Sequence, residues 1–392
     1  MKDKLKISEL KDIVQDCNIN FLLGSGVSMP YLSTLGKIEQ FLTELADKKE
    51  KGEVTDDQEK IVRVSLYKKF FDEAILKNLE ILKNSDDTND VLNNYKTFLK
   101  TLNAILLKRK STILNKQINL FTSNIDVFLE KALESINVEY NDGFSGRFSP
   151  MFNLSNFKKS FFKTSLHYDN TSELPVFNLM KIHGSLTWNK EGEENISFSA
   201  DLGIVKKIKS KTVSEDKLIE IDDDTIIDDL ITKASSMTPD ASICEFIAEY
   251  EKLAIVNPTK EKFRETVLNR NYYELLRIYS NELEKENTVL FVAGFSFADE
   301  HIRDVTLRAA NSNPTLKIYI FSHTSNIDNG MQQMQDKSIN NNIEIVTPDQ
   351  TENDKKEMID DFKYNFHNLN EKVFCELLKR IGEKEEKRSE KN

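Results

Sequence analysis

Cysteine is scarce. Cys17, Cys244 and Cys375 are the three in 392 residues, far apart and with no Cys-x-x-Cys pair. Neither a disulfide framework nor a zinc ribbon is expected from that spacing, and the usage suits a reducing cytoplasm. A long apolar run is also missing. The longest candidate, Val289 to Ala298, is broken by Gly294 and Ser296 and falls short of the ~20 apolar residues that cross a bilayer, so no membrane association is expected. Met1 to Leu10 alternates Lys with single apolar residues and has no apolar core for a signal peptide. Positive charge is not in excess: 54 Lys and Arg against 65 Asp and Glu leave a net charge of −11. Strong direct nucleic-acid binding is therefore not expected. What remains is 39% apolar and 30% charged, the balance of a soluble globular chain with one large domain carrying insertions, or two domains.

The chain is organised around Phe21-Leu22-Leu23-Gly24-Ser25-Gly26-Val27-Ser28. Asn18 to Leu23 reads as a short apolar strand that runs straight into a glycine turn. Such a turn lets backbone amides, with the Ser25 and Ser28 hydroxyls, approach an anion. No third glycine completes Gly-x-Gly-x-x-Gly, and no Gly-Lys-Ser/Thr follows. Alone, the turn is equally an ordinary tight one, since glycine is the default residue there.

Ile7 to Val14 reads as a helix. From Lys37 to about Lys110 the pattern is helical, with Val62, Leu66, Phe70, Phe71, Ile75 and Leu79 recurring at threes and fours and a polar turn at Asn84 to Asp90. These helices are either an inserted module or the cover of one sheet face. Gln117 to Thr122 is strand-like and leads through Ser-Asn-Ile-Asp into an amphipathic stretch, Val127 to Ile136. Tyr140 to Arg147 is a glycine-rich loop, and Phe148 to Tyr168 has room for short strands. Val176 to Ile182 is a third strand, ending in His183-Gly184-Ser185. Asn189 to about Asp240 is the least globular part. There Glu220, Asp222, Asp223, Asp224, Asp228 and Asp229 lie among isoleucines. They read as a solvated acidic insertion, because no regular metal-ligand spacing appears.

Ala254 to Val256 begins another strand unit, ending Asn257-Pro258-Thr259, and a long helix is expected over Glu261 to Glu286. Thr288 to Ala293 is a buried strand that ends in Gly294-Phe-Ser-Phe-Ala-Asp-Glu-His301, where a helix starts with acidic residues in its first turn, as its dipole favours. Leu316 to Phe321 and Ile343 to Val346 are two more strands. Glu371 to Ile381 is a final helix, and Gly382 to Asn392 is a charged tail expected to be disordered. Short strands, apolar on both faces and alternating with helices, predict an α/β fold: a Rossmann-like parallel sheet covered on both sides. In such sheets ligands bind beyond the carboxyl ends of the strands. Four strands here end in polar or glycine-rich turns, Gly24–Ser28, Thr122–Asp126, His183–Ser185 and Gly294–Asp299, and these are expected to converge on one crevice.

Together these four stretches resemble the sirtuin family, in particular the sirtuin-like domains of bacterial anti-phage defence proteins. Gly24-Ser-Gly-Val-Ser28 resembles the family's Gly-Ala-Gly-x-Ser phosphate loop, and Thr122-Ser-Asn-Ile-Asp126 its Thr-x-Asn-x-Asp motif. His183-Gly184 resembles the catalytic His-Gly. Gly294-Phe-Ser-Phe-Ala-Asp299, with Glu300-His301-Ile302, resembles the late Gly-x-Ser motif of the prokaryotic branch. The resemblance spans roughly Asn18 to Phe321. It implies a sirtuin-like domain over about 1–350, with a helical insertion near 37–115, an acidic insertion near 189–245, and a C-terminal helix and tail over 351–392. It also implies NAD as substrate and no metal. His183 would be the general base, since an imidazole takes and returns a proton near neutral pH, and Asn124 would hold a ribose hydroxyl or water. Gly24, Ser25, Gly26 and Ser28 would anchor the pyrophosphate. Thr122 and Asp126 would complete the ribose side, and Gly294, Ser296 and Asp299 would meet the adenosine half. Asn124 and Asp126 can equally cap the helix that follows; the two roles are compatible. His301 is left between packing and function.

Two departures from the deacylating members bear on the acceptor. Trp188 to Asp240 contains no cysteine, so their zinc module is not expected. Met29-Pro30-Tyr31-Leu32 stands where they carry Gly-Ile-Pro-x-Phe-Arg. Both features position an acyl-lysine peptide, and water is the simpler acceptor. The expected function is therefore NAD hydrolysis to nicotinamide and ADP-ribose. The resemblance implies a homo-oligomer working beside a HerA-type hexameric ATPase. The alternatives are a protein deacylase or ADP-ribosyltransferase, or a non-catalytic NAD or ADP-ribose sensor or assembly subunit.

Overall fold

The structure is a computed structural model that describes residues 5, 7–33, 37–83, 89–111, 113–192, 195–222, 224–256, 270–348 and 363–381. The polar turn after Lys83, the Asn257-Pro258-Thr259 turn, the first part of the helix expected from Glu261, and the tail from Gly382 lie outside these residues.

In chain order the strands are β1 (Asn18–Leu23), β2 (Gln117–Thr122), β3 (Glu139–Asn141), β4 (Phe144–Ser145), β5 (Met151–Phe152), β6 (Phe161–Thr164), β7 (Thr171–Leu174), β8 (Val176–Lys181), β9 (Gly184–Glu191), β10 (Asn195–Phe198), β11 (Leu253–Ile255), β12 (Thr288–Ala293), β13 (Leu316–Phe321) and β14 (Ile343–Val346). Seven of them form one sheet in the order β14-β13-β12-β1-β2-β8-β3, and every pairing in it is parallel. Alternate residues feed two apolar layers. Phe21, Leu120, Phe177 and Phe291 face one; Leu22, Phe121, Met180 and Val292 face the other. Helices Asn89–Leu107 and Phe128–Ile136 cover the first face, together with the segment from Phe366, where Phe98 and Phe374 meet Phe21 at 5.1 and 5.5 Å between ring centroids. Helices Arg270–Leu283 and Glu300–Ser312 cover the second, with Tyr279 on Phe121 at 4.9 Å. This is the doubly wound, Rossmann-like arrangement the alternation predicts.

The strands are not apolar on both faces, as the sequence reading has them. Asn20, Asn119, Asn178 and Asn141 stand level across β1, β2, β8 and β3. Each amide passes a hydrogen bond to the next: Asn119 Nδ2 to Asn20 Oδ1 at 2.8 Å, Asn178 Nδ2 to Asn119 Oδ1 at 2.9 Å, and Asn141 Nδ2 to Asn178 Oδ1 at 2.9 Å. Asn119 Nδ2 also reaches Glu282 Oε2 at 3.2 Å. Burial works against the Glu282 charge, but Lys158 and Lys285 hold its carboxyl below the usual range. A buried hydrogen bond nets only about 1 kcal/mol, whereas an unmet buried amide costs about 1–3 kcal/mol. The ladder therefore specifies register more than it stabilises. A one-residue slip would turn an amide into the opposite apolar layer, and a two-residue slip would set Asn20 beside Phe121.

Three other segments differ from the sequence reading. β11 does not extend the central sheet. It pairs antiparallel with β9, which also pairs with β10 in a five-stranded sheet of order β11-β9-β10-β5-β4. The glycine-rich loop at Tyr140–Arg147 supplies β3 and β4. The acidic segment exposes Glu220, Asp222, Asp224, Asp228 and Asp229 as the reading has them, but its apolar residues are packed: Ile219, Ile221, Ile227 and Leu230 are buried. It lies against the inserted helix Asp56–Phe70, where Ile219 N donates to Ser65 Oγ at 2.9 Å and Lys69 Nζ to Ile221 O at 3.0 Å. Tyr67 and Tyr250 stack at 4.1 Å beside them. The two segments thus pack together as one lobe. Helix Asn89–Leu107, by contrast, covers the sheet.

Asn119→Leu keeps the side chain's approximate shape but leaves Asn20 Oδ1 without its donor, and leaves Asn178 Nδ2 with Gln117 Oε1 as its remaining acceptor. It is expected to lower unfolding free energy by about 1–3 kcal/mol, read as a lower urea midpoint with an unchanged slope.

Candidate functional site

β12, β1, β2 and β8 end at one level: Ala293 pairs with Leu23, Leu23 with Thr122, and Thr122 with Lys181. Their turns open on a cleft of about 730 Å³. Ser25, Gly26, Ser28, Asn124, Asp126, His183, Gly294, Ser296 and Asp299 all line it. Gly24 and Thr122 stand behind it. Thr122 Oγ1 donates to Leu23 O at 2.8 Å and accepts from Asn124 N at 2.9 Å, so it shapes the turn that carries Asn124.

Gly24 and Gly26 serve a packing role that the anion-anchor reading leaves out. Gly24 N donates to Ala293 O and Gly26 N to Gly294 O, both at 3.0 Å. These two amides are committed to the end of β12. A Cβ on Gly24 would come within 2.4 Å of Gly294 O, and one on Gly26 within 2.9 Å of Gly294 Cα. Gly294 itself has φ +63°, a left-handed conformation natural to glycine. The glycines let two turns meet backbone to backbone.

Ser28 is the hub of a buried polar cluster. Its hydroxyl donates to Asp126 Oδ2 at 2.7 Å and accepts from Asn124 Nδ2 at 3.3 Å. The Tyr95 hydroxyl lies 2.8 Å away. A hydroxyl has one proton and two lone pairs. With the proton on Asp126, Tyr95 must be the donor, and burial first, then Asp126, holds its phenol well above the ordinary pKa and protonated. All three positions of the Ser28 hydroxyl are filled. Asp126 Oδ1 meanwhile accepts from Phe128 N at 3.0 Å, so Asp126 is indeed tied to the following helix.

Beneath the cluster, Lys181 Nζ donates to Asp126 O and pairs with Glu130 Oε1 at 2.9 Å. Burial pushes the Glu130 carboxyl up despite this ammonium. Asn124 N is fixed by Thr122 and its Nδ2 by Ser28, but Asn124 Oδ1 is buried with no hydrogen-bond partner among the described residues. Such an orphan is uncommon. It is a hydrogen-bond acceptor on a residue that lines the cleft.

His183 sits at the corner between β8 and β9. Gly184 makes that corner with φ +81°, and a Cβ there would meet Ala254 O at 2.1 Å. His183 Nε2 lies 3.2 Å from Asp299 Oδ2, an ion-pair approach between two largely buried side chains. Asp299 Oδ1 caps helix Glu300–Ser312, accepting from His301 N at 3.1 Å and Ile302 N at 3.2 Å. The structure thus places Asp299 against His183.

Other cleft residues went unrecognised in the sequence: Glu39, Asn78, His323, Asp328 and Tyr364. No local pattern marks them, and the four motifs gave no signal for Tyr95. Among the described residues lining the cleft there is no lysine or arginine, and no group of three or more His, Cys, Asp or Glu positioned to hold a metal. Among the described residues, no helix is long and apolar enough to cross a membrane.

Ser28→Ala separates the hub from a simple ligand contact. A hub predicts a stability loss of about 2–3 kcal/mol without ligand, because Tyr95, Asn124 and Asp126 each lose a partner. A residue that only touches ligand would leave the urea midpoint of the free protein unchanged.

No family model matches the chain, and no curated protein matches it. Among solved structures the chain is similar to one described as "Structural Basis for the Mechanism and Regulation of Sir2 Enzymes", with 9% sequence identity, 96% of this chain and 98% of that chain covered, and a TM-score of 0.38.

Proposed function

We propose that the cleft binds NAD and hydrolyses its nicotinamide–ribose bond. The observation that carries this reading is Asn124 Oδ1, a buried acceptor without a partner among the described residues, on the cleft that His183 also lines. An unmet buried acceptor costs about 1–3 kcal/mol, and a ribose hydroxyl or the attacking water relieves it.

In the reaction, the bond between C1′ and the nicotinamide nitrogen breaks and its electron pair leaves with nicotinamide. Water oxygen bonds to C1′, and the water proton passes to His183 and then to solvent. NAD and water become nicotinamide, ADP-ribose and a proton. The transition state is oxocarbenium-like. The carboxylates of the cleft, Asp126 and Asp299 among them, favour that positive charge. With Gly24 and Gly26 amides already donated, a pyrophosphate would rely on Ser25, Ser296 and the remaining turn amides. The motif resemblance supports the choice of NAD. It alone carries the further proposal of a homo-oligomer that depletes NAD during phage infection beside a HerA-type hexameric ATPase.

The test is nicotinamide release from NAD by the chain alone and co-expressed with the ATPase. His183→Ala is expected to reduce release at least 100-fold, the lower end of what one positioned acid–base group contributes, and Asn124→Ala to reduce it as well by removing the positioning acceptor, with folding intact in both. NAD bound with no release under either condition would overturn the hydrolase reading and leave a sensor or assembly subunit. Turnover of an acyl-peptide would instead favour the deacylase.

A further inference from the structure

We propose that Asp299 is the positioning residue for His183, fixing which imidazole nitrogen is free to take a proton. The inference rests on the proposed hydrolysis for His183's role as a base, but not for the contact itself.

The carboxylate does two jobs with its two oxygens. Oδ1 caps helix Glu300–Ser312 through His301 N and Ile302 N. Capping needs one acceptor, which Ser, Thr or Asn supplies as well as Asp. Oδ2 is turned away from the helix, is buried, and lies 3.2 Å from His183 Nε2, close enough for a charge to act though not aligned as a hydrogen bond. A carboxylate there selects the tautomer with the proton on Nε2, because Oδ2 only accepts. Nδ1 is then the basic nitrogen, and it has no hydrogen-bond partner among the described residues. Side chains that hold a catalytic imidazole in this way act on its tautomer and orientation without themselves being protonated.

The geometry that makes the pairing possible is built in. Asp299 follows Phe297, whose φ of +59° is unusual for a side chain bearing a Cβ. Arg303 Nη1 holds the Phe297 carbonyl at 3.2 Å, and Gly330 packs against it where a Cβ would come within 2.5 Å. The strained turn brings the start of the helix up to the β8–β9 corner. The other ionisable groups lining the cleft are Glu39, Asp126, His323, Asp328 and Tyr364, and the Tyr272 hydroxyl packs at Gly184. None of them is shown at ion-pair distance from His183.

The experiment compares wild type, Asp299→Asn and Asp299→Ser, full chain, with 15N-labelled histidine. His183 is assigned by the signal lost in His183→Gln. Both variants keep an N-cap acceptor. The wild type is expected to show the Nε2–H tautomer. Asp299→Asn, whose amide donates to Nε2, is expected to invert it to Nδ1–H and to reduce nicotinamide release by 10²- to 10⁴-fold, and Asp299→Ser is expected to show a mixture. An unchanged tautomer in both variants would overturn the proposal, even if release fell. An inverted tautomer with no release in any variant, wild type included, would sustain the pairing and sink the hydrolase reading alone.

Discussion

Four strand ends at one level set the geometry of the cleft. Were β2 or β8 displaced by one residue, Asn124 and His183 would move ~3.3 Å along their strands, and every neighbouring side chain would change face. Hydrophobic pairing resists such a slip only weakly when both layers are apolar, because a displaced Val or Leu still finds hydrocarbon. The Asn ladder resists it strongly, because a displaced amide does not. Its members lie below the strand ends, Asn20 three residues before Leu23 and Asn119 three before Thr122. The same alignment lets Gly24 and Gly294 approach each other, and at that contact no side chain fits.

With the turns in place, most of the polar groups at the cleft are already paired. Ser28 is saturated, Asp126 is shared between Ser28 and Phe128 N, and Thr122 links Leu23 to Asn124. This economy separates groups that build the site from groups left to meet a ligand. Asn124 Oδ1 belongs to the second set because its own Nδ2 and backbone amide are held from two sides. An amide pinned in this way presents its oxygen without losing rotamer freedom when ligand arrives, which is the condition for preorganised catalysis.

Much of the fold was legible because its signals are local. β1, β2, β12, β13 and β14 have the bounds their apolar runs suggest, since glycine, proline-free sequence and polar stops mark both ends. The four turns were legible for the same reason, and the structure brings them to one cleft. The Asn ladder was not. Asparagine is depleted in strands, and its partners lie on other strands, so no window along the chain shows it. The five-stranded sheet was missed because β9 and β11 pair across more than sixty intervening residues that include the acidic insertion. Within that insertion the isoleucines were the better signal, and the carboxylates between them drew attention to charge. In the sequence Asp299 reads only as part of the turn expected to meet the adenosine half, and nothing local links it to His183.

The helical lobe also reaches the cleft. Glu39, Phe70, Ala74 and Asn78 from its helices line the cleft. Asn78 does more: its Oδ1 accepts from Val127 N at 3.1 Å, next to Asp126, while its Nδ2 donates back to Ala74 O at 2.7 Å. The chain of contacts runs from Ile219 and Ile221 of the acidic insertion, through Ser65 and Lys69, along the helix to Asn78, and so to the turn carrying Asn124. Contiguity of this kind transmits a displacement only where an element has two arrangements. What the packing itself dictates is narrower and firmer. The Asn124 turn is held from β1 by Leu23, from β8 by Lys181 and from the lobe by Asn78, so its position is over-determined.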